Sequence, residues 1–469
     1  MQRARLPPFL ADFIEDRAAL RALAAACLAL AAAGLDPHVL DPGSLRGQAI
    51  LGAVPATEWL FTLATLAQVG LLLLGGAVAD TMRSGRLLRR ALIALAAASV
   101  GAILMPAGPG LLASRFVAWA SDGLIIPFAV GAVALLYRGE PRATALGVLF
   151  TVYGATTLLA PALSTLGTGL PEILALVLCA AAALLALWAT QRWLPALPPA
   201  PSSHRRTIVL TAVWAFGVVA AVDGLVQAEP WLVGTGGLIV GGALLAQRAG
   251  RRRHRDGIDA RRTGAALAAG VVIGFSQGIP LLVLPLFFTA LQGVESLLAT
   301  AMLAPFVIGL VTAGPLTGLL LSRFTPRLLL VAGTWAIALA DLAFFAVIDP
   351  TTPYAAFVVP FVLVGAGFVI ATAVRTAVIF ASTPREMPST AAALNEASIG
   401  VGARLGTTLV ILLRTGALGA IPAIEWLRVS LLAAAIVGVI GGIIVFLLLG
   451  AAHPVRSVWD LREERAAAE

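Results

Sequence analysis

The chain has 469 residues, 59% of them hydrophobic and only 12% charged, with a mean hydropathy of +0.96. Soluble domains run to about 45–50% apolar and about 25% charged residues, so this composition excludes an ordinary soluble enzyme and points to a bilayer. The 32 basic residues against 24 acidic ones give a formal charge of +8, and all 32 are arginine, which excludes a Walker phosphate loop and a lysine Schiff base alike.

Taken in chain order, about fourteen stretches have the roughly 20 mainly apolar residues that a helix needs to cross about 30 Å of hydrocarbon. The first six are 18–40, 58–79, 90–107, 111–137, 143–166 and 172–193. Two more follow at 207–226 and 231–249, and the last six are 265–291, 297–321, 327–348, 355–381, 388–417 and 426–449. Arg3, Arg5, Arg17 and Arg21 ahead of the first stretch resemble the start of a secretory signal, but the many spans that follow favour a retained first helix. With a cytoplasmic N-terminus, nearly every arginine outside the spans falls on the inside, and the outer loops keep only Arg46 and Arg428. The positive-inside rule then fixes an even span number with both termini cytoplasmic.

Two stretches interrupt the apolar pattern: the proline-rich 194–206 and the basic 251–262. They bracket the seventh and eighth spans and divide the chain into a six-helix bundle (1–195), a linker with an inserted pair (196–262) and a second six-helix bundle with its tail (263–469). The basic loop is a solvated face or a docking site for anionic lipid or a partner. An internal repeat supports the division. The second helix of the first half ends Gly76-Ala-Val-Ala-Asp80, followed by Arg83, Gly85, Arg86, Arg89 and Arg90; that of the second ends at Gly318, Ser322, Arg323 and Arg327. Parallel halves of a transporter carry such a repeated turn.

These motifs resemble the major facilitator superfamily, specifically its fourteen-helix drug:proton antiporter branch, and the resemblance runs almost end to end. The segment from Gly76 to Arg90 is similar to the family's loop G-x-x-x-D-x-x-G-R-[KR], with two residues more than usual before Gly85-Arg86. Arg115 and Pro127 are spaced as in the fourth-helix pattern, with Ala118 and Trp119 in place of Gln and Gly. Gly147 and Pro161 resemble the antiporter motif, whose other glycines are replaced here. The segment around Asp36, and Asn395-Glu396 through Gly400, Gly402 and Gly406, resemble the branch's first-helix end and thirteenth helix. The resemblance implies an all-α fold of two bundles with an inserted helix pair. It also implies a cytoplasmic gate formed by Gly76, Asp80, Gly85, Arg86, Arg90, Arg323 and Arg327, with Asp80 latched against a helix N-terminus and an arginine.

Charged groups in hydrocarbon cost roughly 2.5–3.5 kcal/mol each on insertion scales, which makes Arg115, Asp122, Asp223, Asp341, Arg375, Glu396 and Arg404 functional candidates. Arg115 and Asp122, seven residues apart, share one helix face and either pair permanently or share a proton. Carboxylates suit proton coupling because burial and a nearby guanidinium move their proton affinity in opposite directions. The coupling candidates are Asp36, Glu58, Asp122 and Glu396, with Arg115, Arg375 and Arg404 as charge partners; Glu396 with Arg404 is alternatively a fixed ion pair, and Asp36 and Glu58 are alternatively hydrated at the outer surface. Trp59, Phe116, Trp119, Tyr153, Gln277, Phe275, Gln68 and Trp335 offer the apolar area and sparse polar handles of a lipophilic site, or else pack against neighbours and lipid. Gly270, Gly274 and Gly278 recur every four residues, as close helix packing requires.

Only Cys27 and Cys179 are present, so neither a disulfide framework nor a thiol metal site is indicated, and no metal or other cofactor is expected. Gly274-Phe-Ser276-Gln-Gly278 matches the nucleophile-elbow pattern but falls inside a membrane helix without a nearby histidine, so no enzymatic activity is expected. Arginines that punctuate apolar runs do not make a nucleic-acid face. The sequence therefore predicts a monomeric, proton-coupled exporter in the plasma or inner membrane that moves lipophilic compounds, cations among them. The alternatives are an exporter or flippase of envelope lipid or an endogenous metabolite, and a membrane subunit that keeps the fold without transporting.

Overall fold

In a computed structural model, the structure describes residues 16–35, 70–81, 84–105, 108–137, 139–165, 170–195, parts of 209–224, 230–250, 260–383, 387–414 and 422–449. The described residues are helical or in short turns. In chain order the helices are α1 (Arg17–Leu35), α2 (Gly70–Thr81), α3 (Ser84–Leu104), α4 (Gly108–Leu136), α5 (Gly139–Thr165) and α6 (Leu170–Trp193). The insertion contributes α7 (Pro230–Gly250). The second half contains α8 (Ala260–Ala290), α9 (Ser296–Ala301), α10 (Ala304–Ala313), α11 (Thr317–Arg323), α12 (Pro326–Val347), α13 (Ala355–Ser382), α14 (Pro388–Arg414) and α15 (Ala423–Leu449). Among the described residues ten helices are long and apolar enough to cross a membrane, or eleven with α10 and α11 as one bent span.

Local chemistry sets several boundaries. Asp16 Oδ1 accepts from the N–H groups of Ala18 and Ala19 at 3.1 and 3.0 Å, capping the orphan donors that begin α1. Thr325 caps α12 by accepting from Leu328 N–H at 3.3 Å, and Pro326 follows at the one helical position where its missing N–H costs nothing. The apolar stretch 297–321 reads as one helix in sequence but folds as three pieces. Pro305 cannot donate a helical hydrogen bond to Ala301 and Pro315 cannot donate to Val311, and α10 and α11 meet at a 49° bend. Pro127, Pro280, Pro285 and Pro360 lie within the long helices, each removing one helical hydrogen bond, as helices packed in a bilayer tolerate.

α1, α3, α4, α5 and α6 pack into one bundle, and α8, α10, α12, α13, α14 and α15 into another. α4 packs on α14, and α5 packs on α9, α10, α11 and α13, so one apolar core runs through both. In the inserted region the described residues of 209–224 lie against α7 through glycines: a Cβ at Gly224 would sit 2.6 Å from Val233 N, and one at Gly236 would sit 2.5 Å from Ala221 N.

Candidate functional site: an interbundle latch and a buried ionisable cluster

Asp80 sits in the last turn of α2, one residue beyond the expected apolar stretch, and is 5% exposed. Helix α14 opens with Pro388, leaving the N–H groups of Ser389 and Thr390 without helical acceptors. Asp80 supplies them: Oδ1 accepts from Ser389 N–H at 2.9 Å, and Oδ2 accepts from Thr390 N–H and the Thr390 hydroxyl, both at 2.7 Å. A carboxylate of the first half therefore caps a helix of the second, where the helix dipole also favours negative charge. The approach is permitted by Gly76 and Gly131, whose Cβ atoms would stand 2.6 Å from Ser389 O and 2.9 Å from Ser389 N. Burial raises the Asp80 carboxyl from 3.8 to about 6, against the lowering effect of its hydrogen bonds from Thr390 and Ser389.

The arginines expected at this gate differ in their surroundings. Arg86 and Arg90 are exposed on α3 near Gly85, and Arg323 is exposed at the end of α11. Arg327 lies over the ring of Phe446, 3.4 Å from its centroid, and so ties α12 to α15 inside the second bundle. Ser322, which the repeat aligns with Asp80, is exposed and bonds only its own helix, at Leu319 O, 2.8 Å. The acid latch is present in one half alone among the described residues.

A second crossing joins α5 to the bend after α10. Gly147 meets the backbone of Gly314 directly, and Thr151 Oγ1 donates to Leu310 O at 2.9 Å. Leu310 O also accepts from Gly314 N–H at 2.9 Å. Pro161 lies in α5, and its side chain is outside the described residues.

Both bundles also carry buried ionisable groups. Asp122 on α4 is fully buried, and Arg115, two turns earlier, is 3% exposed. Tyr153 on α5 is half-buried, and its carbonyl oxygen accepts from the Thr156 and Thr157 hydroxyls at 3.0 and 2.8 Å. Glu396 on α14 is half-buried and accepts from Asn395 Nδ2 at 2.9 Å. Arg404, the alternative partner suggested by sequence, is half-buried farther along α14. Arg375 is fully buried and donates from Nη1 to Ser398 Oγ at 2.7 Å, while Ser398 Oγ donates to Asn395 O at 2.7 Å. Asp341 on α12 is fully buried, with no hydrogen bond to either carboxylate oxygen among the described residues.

Of the expected lining residues, Trp119 and Gln277 are half-buried and Phe116 is 48% exposed. Trp335 is an anchor between helices: its Nε1 donates to Val439 O at 3.3 Å beside Gly442, so it holds α12 on α15. Asp36, Glu58, Trp59, Gln68 and Asp223 lie outside the described residues. Residues that sequence reading did not single out include Ser389, Thr390, Gly131, Thr151 and Ser398. Pro388 with two hydroxyl residues after it is a helix-start signal that marks Ser389 and Thr390; the others answer to partners distant in sequence.

Two bundles of span-length apolar helices, packed through a buried interface that Asp80 bridges, define a multi-pass membrane transporter. The chain belongs to the Major Facilitator Superfamily, whose family profile matches residues 266–467. It is 32% identical over 393 residues to the puromycin resistance protein of Streptomyces alboniger, covering 77% of this chain and 75% of that protein. The same fold occurs in the proton:xylose symporter XylE (TM-score 0.65, 12% identity, 95% of this chain and 98% of that one). It occurs also in the human organic anion transporter TETRAN (TM-score 0.66, 14% identity, 95% and 100%). A POT family peptide transporter in an autoinhibited state is similar too (TM-score 0.64, 15% identity, 93% and 97%).

Proposed function

We propose that this transporter is a proton-coupled exporter of lipophilic compounds, cations among them, in the fourteen-helix drug:proton antiporter branch. It acts as a monomer in the plasma or inner membrane, with both termini cytoplasmic. The observation that carries the reading is an acid on each bundle, the fully buried Asp122 on α4 and the half-buried Glu396 on α14, on two helices that pack against each other across the interface. Two carboxylates divided between bundles that rock against each other exchange a proton for a cation as their separation changes. The relative named for puromycin resistance supports drug efflux. Asp80 at the start of α14 supports a gate closed at the arginine-rich, cytoplasmic side.

In this scheme a proton reaching Asp122 or Glu396 from outside neutralises the site and releases bound cation. Breaking the Asp80 cap then opens the cytoplasmic side, where the proton leaves and the next substrate enters. The test is uptake of puromycin and of a fluorescent lipophilic cation into inverted vesicles with and without an imposed proton gradient. Gradient-driven uptake that falls at least tenfold in Glu396→Gln and Asp122→Asn supports the reading. Full activity in the double variant contradicts it.

A further inference from the structure

Arginines from two helices meet the end of α15. Arg261, in the first turn of α8, donates from Nε to Leu448 O at 3.0 Å, and Arg327, in the first turn of α12, lies 3.4 Å from the Phe446 ring centroid. The unpaired carbonyls of a helix C-terminus favour such cations. These contacts leave donors unused. Arg327 Nε is shielded from solvent and has no hydrogen-bond acceptor among the described residues. Arg323, four residues before it at the end of α11, is exposed, with no hydrogen bond or ion pair among the described residues. The described carboxylates of this half are distant: Glu295 and Asp349 follow the far ends of α8 and α12, Glu425 begins α15, and Asp341 and Glu396 lie within spans. The first three are at least about 30 Å away along their helices.

The surface leading away from these arginines is apolar. Leu328, Trp335 and Leu339 recur at helical spacing on an exposed face of α12, and Ile443, Ile444 and Leu447 are exposed on α15. Trp335 Nε1 donates to Val439 O at 3.3 Å, and its indole stands where a Cβ at Gly442 would, so the two faces adjoin.

We propose that the end of the α12–α15 face where Arg323 and Arg327 lie is a binding site for an anionic phospholipid, its phosphate held by those guanidinium groups and an acyl chain lying along Leu328 and Trp335. Charge complementarity selects the occupant. A guanidinium presents a planar fork of donors that matches phosphate oxygens. A zwitterionic headgroup brings its own ammonium to the arginines, whereas phosphatidylglycerol brings the net negative charge that no described carboxylate supplies there. A soluble anion would meet the arginines and leave the apolar face unused. Seated in this way, the lipid joins the turn between α11 and α12 to the end of α15, inside the second bundle. It is a structural partner rather than cargo, so the site does not depend on the exporter reading.

Trp335 reports on the site in full-length protein held in dioleoylphosphatidylcholine nanodiscs. Brominated acyl chains quench a tryptophan that they touch, and the Trp335 share is the difference between wild type and Trp335→Phe. Brominated phosphatidylglycerol is expected to quench that share with at least about tenfold preference over brominated phosphatidylcholine, since each arginine near a membrane surface contributes roughly fivefold. Arg323→Gln, which alters only an exposed side chain, is expected to cut the preference about fivefold. Adding Arg327→Gln is expected to abolish it, and excess inorganic phosphate is expected to leave the quenching unchanged. Equal quenching by the two lipids in the wild type would mean ordinary lipid contact, and displacement by inorganic phosphate would mean a free-anion site; either overturns the proposal. So does a preference that survives intact in Arg323→Gln or in the double variant.

Discussion

Asp80 and Thr390, 310 positions apart in the chain, are joined by two 2.7 Å hydrogen bonds to one carboxylate oxygen, and Ser389 N–H binds the other at 2.9 Å. The first bundle thereby supplies the cap that the first turn of α14 lacks. Replacing Asp80 by alanine leaves two buried N–H groups unpaired, at about 1–3 kcal/mol for each. Asp80→Ala is expected to shift the population toward the state open at the arginine-rich end. Labelling of a cysteine introduced at Ser389 in each background measures this: faster labelling in Asp80→Ala is the expected outcome.

The same latch responds to pH. The Asp80 carboxyl is raised by burial from 3.8 to about 6 in the closed arrangement, so the closed state binds more protons between those values than a state in which Asp80 is hydrated. Closure is therefore favoured as pH falls through about 6 and gains nothing further below about 3.8. The protection factor of Thr390 N–H in pulsed hydrogen exchange, referenced to the intrinsic rate at each pH, is expected to rise as pH falls over that window in the wild-type protein and to stay constant in Asp80→Ala.

At the second crossing, glycine meets backbone. Gly147→Ala places a methyl group against Gly314 and is expected to cost about 1–3 kcal/mol, read as a lower Tm in detergent. Gly237, in α7, has open space where a Cβ would stand, and Gly237→Ala is expected to leave Tm unchanged or raise it slightly. Thr151→Val removes the hydrogen bond to Leu310 O and is expected to cost about 0.5–1.5 kcal/mol.

Arg327 gives a contrast between sequence position and structural role. Its place in the repeated basic turn suggests a gate, yet it lies over Phe446. Arg327→Gln is expected to lower stability by about 0.5–1 kcal/mol while leaving the cysteine-labelling rate at Ser389 unchanged, since its contact with Phe446 lies within the second bundle.

Hydropathy made the helices legible because an apolar run of span length has few other places to go. The expected run 297–321 failed as a single helix because hydropathy does not register the hydrogen bonds that Pro305 and Pro315 cannot make. The acid of the latch was legible from the Gly76 to Asp80 turn and its basic continuation. Its partner was not, because nothing local links α2 to a helix start 310 residues away. Gly270 read correctly as a close-approach glycine, but whether backbone or a guanidinium approaches depends on α13, which the spacing within α8 cannot reveal. Trp335 read as either a lining or a packing residue, because an indole in a span suits a ligand as well as it suits the Val439 carbonyl it binds.

The central claim is that acids on the two bundles couple proton movement to export. It is tested most directly in proteoliposomes loaded with a pH-sensitive dye, where addition of puromycin or a fluorescent lipophilic cation is followed for counter-movement of protons. The account predicts substrate-dependent proton flux in the wild-type protein and its loss in the Asp122→Asn, Glu396→Gln double variant. Substrate movement without proton flux, or flux that survives in the double variant, would contradict it.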